Sequence, residues 1–276
     1  MKIAYSPCPN DTFVFHALVH GLVPGAPSFD VTYADIDITN NLAASSNELD
    51  ILKISYAALP WILPEYKLVP CGGALGRGCG PLVLCAGEAA DAASLSGKRV
   101  AVPSERSTAY LLFRLWASRN VLGGLKEIVV MPFHEIMPAV RDGLIDAGLV
   151  IHEARFTYPS YGLSRVVDLG NWWESDTGLP IPLGAIIAKR SLDPERIREW
   201  IRASVAYAWN HPEASEDYVM EHAQEMDPKV ARSHIDLYVN EFTADLGEDG
   251  FAAVETLLRR AMDENLVPRM DLSSLR

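Results

Sequence analysis

The sequence predicts an α/β protein of two lobes with a ligand cleft between them. Short apolar runs rich in β-branched residues alternate with helical patterns, which is typical of sheets built from βα units. A small, polar segment at residues 86–98 and a break at Pro180–Gly184 divide these units into two groups. We interpret both breaks as crossings between lobes. Residues 1–88 and 184–276 then form a larger, discontinuous lobe, and residues 89–183 form a smaller one.

Composition narrows the classes of function. The 276 residues are 49% hydrophobic and 22% charged, as in an ordinary globular protein. The formal net charge of -12 repels phosphate backbones, so we expect no nucleic-acid partner. The four cysteines include no Cys-x-x-Cys pair, and no apolar run approaches the length of a membrane helix. Strand-like sequence begins directly at the N-terminus. We therefore expect a cytoplasmic protein without a metal site, and the sequence leaves open whether it is a monomer or a homodimer.

The first βα unit carries a candidate ligand loop. Lys2–Tyr5 is a predicted strand, and Ser6–Asp11 breaks it with two prolines. A helix over Phe13–Leu22 follows, which Asn10 or Asp11 would cap. A strand end, a stiff loop and a helix N-terminus together suit an anion or a polar ligand, although a plain βα connection has the same pattern.

Two polar side chains follow on one predicted strand. Lys53 and Ser55 lie on the same side of that strand, because side chains alternate along an extended chain. They are candidates for contact with a polar ligand, and the alternative is that Lys53 extends to water. The predicted elements here are a strand over Phe29–Ile38, a helix over Leu42–Ser46 capped within Thr39–Asn41, and a strand over Asp50–Tyr56.

A glycine-dense segment lies at Gly72–Gly80. It lacks the Gly-Lys-Ser/Thr ending of a phosphate loop and precedes a strand rather than a helix, so it does not support nucleotide binding. Alternating glycines allow close approach of another backbone or a ligand. Arg77, in their midst, is a candidate bidentate partner for a carboxylate.

The smaller lobe brings a second helix N-terminus and a histidine. Ser107 or Thr108 would cap a helix over Tyr110–Arg119, whose first N–H groups can bind a carboxylate. A buried strand over Ala147–Ile151 then stops abruptly at His152. Ligands lie outside the carboxyl ends of strands in open α/β sheets, and an imidazole there can move a proton near neutral pH. The alternative is that His152 is purely structural.

The other elements complete the two groups. Trp172 and Trp173 are expected to form the floor of a pocket or to fill a core, and Pro180–Gly184 is predicted to be irregular. The remaining predicted elements are strands at Arg99–Pro103, Glu127–Met131, Arg165–Gly170 and Ala185–Ala188, helices at Ile136–Arg141 and from Pro194 after the cap Asp193, and two or three more helices between residues 212 and 265.

The chain enters the second lobe once and then returns to the first. Periplasmic-binding-protein-like folds have this organisation, and they close around small ligands about a hinge. The fold class is therefore a two-lobed α/β, periplasmic-binding-protein-like fold with an interlobe cleft. The flagged loops would line the facing ends of the two sheets: Ser6–Asp11, Asn40–Asn41, Lys53–Ser55, Ser107–Ala109 and His152.

Several blocks closely resemble the 1,4-dihydroxy-6-naphthoate synthases of the futalosine route to menaquinone, and the resemblance spans most of the chain. The resemblance implies a lyase that converts cyclic dehypoxanthine futalosine to 1,4-dihydroxy-6-naphthoate and dihydroxyacetone, with no metal and no cofactor. The blocks are Ser6-Pro-Cys-Pro-Asn-Asp-Thr-Phe13, Lys53-Ile-Ser-Tyr56, Gly72-Gly-Ala-Leu-Gly-Arg-Gly78, Ser107-Thr-Ala-Tyr110, Ile151-His-Glu-Ala-Arg-Phe-Thr-Tyr158 and Gly178-Leu-Pro-Ile-Pro-Leu-Gly184.

The resemblance also implies roles for residues. His152 would be the proton acceptor. From the residues alone, Glu153 is a candidate to orient it, although adjacent side chains on a strand point apart. Substrate would contact Lys53, Ile54, Ser55, Thr108 and Ala109. To these we add Asn40, Ser107 and Arg77 as candidate substrate-binding residues, with helix-terminal amides as the first choice for the substrate carboxylate and Arg77 as the second.

Three other functions compete with this interpretation. The fold also suits a non-catalytic binding protein for a small carboxylate. Chorismate dehydratase, which acts in the same pathway, resembles this fold too. A thiol enzyme that uses Cys8 with His152 is the third, because a helix N-terminus lowers a thiol pKa.

Overall fold

The structure is a computed structural model that describes residues 1–88, 90–152, 154–223 and 227–276. Within these ranges the chain forms two five-stranded mixed sheets, which confirms the predicted two-lobed α/β class. The strands are β1 (Lys2–Tyr5), β2 (Asp30–Tyr33), β3 (Ile51–Ser55), β4 (Tyr66–Gly76), β5 (Leu82–Ala86), β6 (Arg99–Val102), β7 (Glu127–Val130), β8 (Ala147–Val150), β9 (Leu163–Asp168) and β10 (Ile181–Lys189).

The two sheets have the same plan. The strand orders are β2-β1-β3-β10-β4 and β7-β6-β8-β5-β9. Three neighbouring strands of each sheet run parallel, and β10 or β5 joins them antiparallel. Each sheet therefore has two parallel strands, β1 and β3 or β6 and β8, whose carboxyl ends are free to carry ligand loops.

The boundary between the two sheets lies earlier in the chain than the predicted first crossing. β5 pairs with β8 and β9, so the chain enters the second sheet between residues 76 and 82 and not at residues 86–98. The run of small residues at 86–98 follows β5 and therefore lies after the chain has entered the second sheet. The lobe limits of 1–88 with 184–276 and 89–183 stay a prediction, and the sheet membership of β5 favours a first limit near residues 77–81.

Helices cover the sheets. They are α1 (Pro9–Val19), α2 (Ile36–Ser45), α3 (Leu59–Ile62), α4 (Thr108–Asn120), α5 (Phe133–Arg141), α6 (Ala154–Thr157), α7 (Leu169–Thr177), α8 (Pro194–Asn210), α9 (Glu216–His222), α10 (Pro228–Tyr238), α11 (Glu241–Ala244) and α12 (Gly247–Asp263). Short 3₁₀ helices occupy Tyr56–Ala58, Ala92–Leu95, Tyr158–Tyr161, Pro212–Ser215 and Leu272–Leu275. One buried apolar cluster contains side chains of β3, α4 and α12, so the two groups of βα units share part of their core.

Helix starts were predicted too late. α1 begins at Pro9, and its N-cap is Cys8 rather than Asn10 or Asp11. Proline suits the first helical position because its φ is already helical and its missing N–H is not needed there. α2 begins at Ile36 after the N-cap Asp35, so Asn40 lies inside a helix and not in a cap.

Proline and glycine also concealed strands. Pro182 lies inside β10, where the pairing with β4 shifts register on both sides of Gly184, so the expected irregular segment is a bulged strand. In β4, a Cβ at Gly73 would lie 2.6 Å from the carbonyl oxygen of Gly184, which explains the need for glycine at this crossing of two backbones. The helix predicted at Ile136 begins at Phe133 and contains Pro138.

Candidate active site

A deep cavity of about 80 Å³ lies where the carboxyl ends of β1 and β3 in the first sheet meet those of β6 and β8 in the second. Ser6 follows β1, Ser55 ends β3, Ser107 follows β6 and His152 follows β8, and all four line the cavity. The loops converge as the topology predicted, because parallel strands present their carboxyl ends at one edge of a sheet.

Six of the nine candidate residues line this cavity: Lys53, Ser55, Ser107, Thr108, Ala109 and His152. The other three do not. Ile54 is fully buried on the opposite side of β3, in the apolar core. Asn40 is buried behind Ser55. Arg77 is an exposed side chain whose guanidinium lies 3.6 Å from Glu174, so the structure gives it an ion-pair partner away from the cavity.

A buried ion pair joins β3 to α1. Lys53 Nζ donates to Asp11 Oδ1, and each residue is 3% exposed. Lys53 therefore does not extend to water, which was the alternative interpretation. The stem of Lys53 passes Gly184 of β10, where a Cβ would lie 2.7 Å from Lys53 Cε. A side chain at position 184 would therefore push the end of Lys53 aside.

The hydroxyls of Ser55 and Thr108 differ in their availability. Asn40 Nδ2 donates to Ser55 Oγ over 3.0 Å, while Asn40 Oδ1 accepts from the Ser55 backbone N–H. The Ser55 hydroxyl proton therefore remains available to the cavity. Thr108 Oγ1 donates to the carbonyl of Leu183 and accepts from the N–H of Ala57. Its hydroxyl thus joins α4 to the first sheet.

Two helix N-termini face the cavity. Asn10 and Asp11 lie in the first turn of α1, and Thr108 and Ala109 open α4. Ser107 caps α4 by accepting from Tyr110 N at 3.1 Å, which confirms one of the two predicted caps. First-turn N–H groups have no partner within their own helix and attract negative charge. The cavity is therefore suited to an anionic oxygen.

His152 has an unusual backbone. Its φ is 53°, in the left-handed region that residues other than glycine rarely adopt. Its Nδ1 lies 3.5 Å from Cys8 Sγ, and its ring packs edge-on against Phe133 with centroids 5.7 Å apart. Residues held in such conformations cluster at functional sites, so the geometry supports a chemical role for this histidine. Glu153 lies outside the described residues.

Sequence reasoning did not single out His234 and Tyr238 of α10, which bring the C-terminal helices to the cavity. Both belong to the buried face of that helix, with Ala231 and Ile235. Their spacing predicts only an amphipathic helix that covers a core. No signal in the sequence distinguishes this histidine from an ordinary core residue.

A second, wider cavity of about 640 Å³ adjoins the deep one. The two share Ile36, Ser107, Ile151 and His152. His152 is therefore at the boundary between a small chamber and a larger space, which together have the size of an ordinary ligand site.

Arg155 and Trp173 make structural contacts, and Cys79 is a buried thiol. Arg155 donates to the carbonyl of Gly80 at 2.7 Å and to Asp168 at 2.6 Å, which joins the chain before β5 to the end of β9. Trp173 is fully buried and donates to the carbonyl of Pro180, so it fills the core. Burial raises the pKa of the Cys79 thiol to about 12, which leaves it protonated and unreactive at neutral pH.

Among residues 1–88, 90–152, 154–223 and 227–276, no group of three or more histidine, cysteine, aspartate or glutamate side chains has the arrangement of a metal site. No helix among them combines the length and apolar character needed to cross a bilayer.

Comparison with known proteins places the chain among enzymes of quinone synthesis. A family model described as menaquinone biosynthesis matches residues 1–263. A protein named 1,4-dihydroxy-6-naphthoate synthase from Streptomyces coelicolor is 67% identical, over 100% of this chain and 97% of its own length. One of the same name from Thermus thermophilus is 46% identical, over 95% of this chain and 93% of its own.

Solved structures agree on the fold. A protein from Archaeoglobus fulgidus superposes with a TM-score of 0.88 at 34% identity, covering 96% of this chain and 98% of that one. The periplasmic aliphatic sulphonate binding protein of Escherichia coli superposes with a TM-score of 0.70 at 14% identity, covering 99% and 90%. The predicted periplasmic-binding-protein-like fold is thus confirmed.

Proposed function

Because the chain belongs to the family of the 1,4-dihydroxy-6-naphthoate synthases, we propose that it is a carbon–carbon lyase that converts cyclic dehypoxanthine futalosine to 1,4-dihydroxy-6-naphthoate and dihydroxyacetone. The observation that carries the proposal is the 67% identity over the whole chain. The composition of the deep cavity supports it, since a histidine lines the same cavity as hydroxyl, ammonium and amide donors.

In the proposed reaction His152 is the general base. If Nδ1–H donates to Cys8 Sγ, then Nε2 is unprotonated and accepts a proton from a substrate hydroxyl. The carbon–carbon bond breaks, the hydroxyl carbon becomes a carbonyl, and the electron pair of the bond passes into an enolate. Proton return and aromatisation complete the step without any change in redox state.

The developing enolate oxygen needs preorganised donors. The Ser55 hydroxyl and the N–H groups at Thr108–Ala109 are the candidates, and Lys53 contributes positive charge beside them. Loss of one such donor typically costs about 100-fold to 1,000-fold in kcat. For the substrate carboxylate we favour helix-terminal amides, because the Arg77 guanidinium lies with Glu174 outside the cavity.

The test is turnover of cyclic dehypoxanthine futalosine by wild type and His152→Asn, with binding measured by calorimetry. We expect the variant to bind substrate while turnover falls by about 100-fold or more. Binding by wild type without conversion would instead indicate a receptor for a small carboxylate. Cys8→Ser is the matched control for the thiol alternative, and retained turnover in that variant eliminates it.

The class of substrate, the cellular location and the oligomeric state are also part of the proposal. A small-molecule substrate fits the size and polarity of the two cavities. A cytoplasmic location and a monomeric or homodimeric state are our predictions, and cell fractionation and sedimentation velocity test them.

A further inference from the structure

The proposed mechanism gives no role to one buried histidine that lines the deep cavity. His234 of α10 is 1% exposed and lines the cavity together with His152, and the two rings are nearly parallel with centroids 6.3 Å apart. Its Nδ1 is fully buried and has no hydrogen-bond partner within the described ranges. An unpaired polar atom in a buried place is costly, so its retention needs a reason.

The neighbours of His234 determine which ring nitrogen carries the proton. Asn10 Nδ2 lies 2.7 Å from Asp11 Oδ1, and a carboxylate paired with Lys53 can only accept, so this end of the Asn10 amide is the donor. Asn10 Oδ1 then faces His234 Nε2 at 3.0 Å and must accept from it. His234 is therefore protonated at Nε2, and its Nδ1 is a lone-pair acceptor.

The ring is also neutral. Burial, with smaller contributions from His152 and Lys53, lowers the pKa of His234 to about 3. A base with so low a pKa is poorly suited to remove a proton near neutral pH. A neutral acceptor, in contrast, keeps the same hydrogen-bonding character over the whole physiological range.

We propose that His234 is a substrate-binding residue whose Nδ1 accepts a hydrogen bond from a hydroxyl group of the substrate. The inference rests on the proposed function and adds to it a residue that discriminates among ligands. An acceptor without a proton repels carboxylate and carbonyl oxygens and selects an alcohol. A site that holds a buried acceptor for a hydroxyl rejects analogues that lack it, because the acceptor then stays unpaired.

Two variants separate the two ring nitrogens. In His234→Gln the side-chain amide reaches the position of Nε2 and still donates to Asn10, but no acceptor remains at the position of Nδ1. In His234→Asn an amide oxygen can take the place of Nδ1. We expect kcat/KM for cyclic dehypoxanthine futalosine to fall about tenfold in His234→Gln, through KM rather than kcat, and His234→Asn to recover most of the loss.

A spectroscopic measurement on the native histidine makes the test independent of folding in the variants. In long-range ¹H–¹⁵N spectra of the full chain, His234 should show a protonated Nε2 and an unprotonated Nδ1 from pH 5 to 8. Adding cyclic dehypoxanthine futalosine to His152→Asn protein should move the Nδ1 resonance in the direction of hydrogen-bond acceptance. A purely structural histidine would keep its resonance.

The outcomes are separable. If wild type turns the substrate over while His234→Gln keeps the wild-type KM and the Nδ1 resonance does not move, the inference about His234 is wrong and the proposed function stands. If wild type neither converts nor binds the substrate, both are wrong. Protonation of Nδ1 at neutral pH would also overturn the inference, because the site would then present a donor.

Discussion

The ion pair between Lys53 and Asp11 gives the sharpest test of the site as described. Both side chains are almost fully buried, and the pair joins β3 to the first turn of α1. Asp11→Asn preserves the size and shape of the side chain and removes its charge. The ammonium of Lys53 is then left in a cavity wall without a counter-charge.

The expected cost is large. Removing one partner of a buried pair destabilises a protein by about 3–5 kcal/mol, because the other charge is left buried and unpaired. Domains of this kind are stable by about 5–15 kcal/mol in total, so the loss is a sizeable fraction of the whole. Removal of both charges in Asp11→Asn with Lys53→Met should recover much of the stability, since no uncompensated charge remains.

Urea unfolding at pH 7 measures the effect, and the chain offers a matched control. Asp236 pairs with Arg232 on the surface of α10, with side chains 57% and 58% exposed. Asp236→Asn should cost about 0.5 kcal/mol or less, since exposed pairs contribute little. A cost for Asp11→Asn as small as that of the control, or a double variant less stable than the single one, would refute the reasoning.

Three further predictions concern stability and the shape of the cavity. Because the pKa of His234 is lowered, the unfolded chain binds a proton there below pH 6.5 while the folded protein does not. Between pH 7 and 4.5, the free energy of unfolding in urea should therefore fall by about 2.5 kcal/mol less in His234→Gln than in wild type. Equal losses would contradict this. Gly184→Ala should displace Lys53 and lower kcat/KM, at about 1–3 kcal/mol of stability; an unchanged kcat/KM would exclude the contact. Arg155→Ala leaves Asp168 without its closest guanidinium and should lower the free energy of unfolding by about 2 kcal/mol in the same assay. Arg155→Lys should recover little of this loss, and full recovery in that variant would show that the forked geometry of the guanidinium is unimportant.

Local patterns predicted the parts of the site that lie next to strand ends. The strands before Ser6, Ser107 and His152, and the alternation that puts Lys53 and Ser55 on one side of β3, depend on side chains close together in the chain. Parallel strands then bring their carboxyl ends to one edge, so the convergence of the loops followed from topology.

Candidates whose neighbours are distant were harder to place. Arg77 looked like a carboxylate ligand because of its glycine-rich surroundings, but Glu174, far along the chain, pairs with it. Asn40 was expected in a turn and instead supports Ser55 from inside α2. An isolated polar residue carries no information about which remote group will satisfy it.

The sequence by itself determined the α/β class, most strands, and the polar residues at the strand ends, because periodicity, capping and turn chemistry are local. Only the tertiary structure decided that β5 joins the second sheet, that Asp11 neutralises Lys53, and that His234 faces the same cavity as His152. The physical reason is that ion pairing, burial and the choice of a histidine tautomer depend on groups brought together from distant parts of the chain, and no spacing along the sequence encodes those distances.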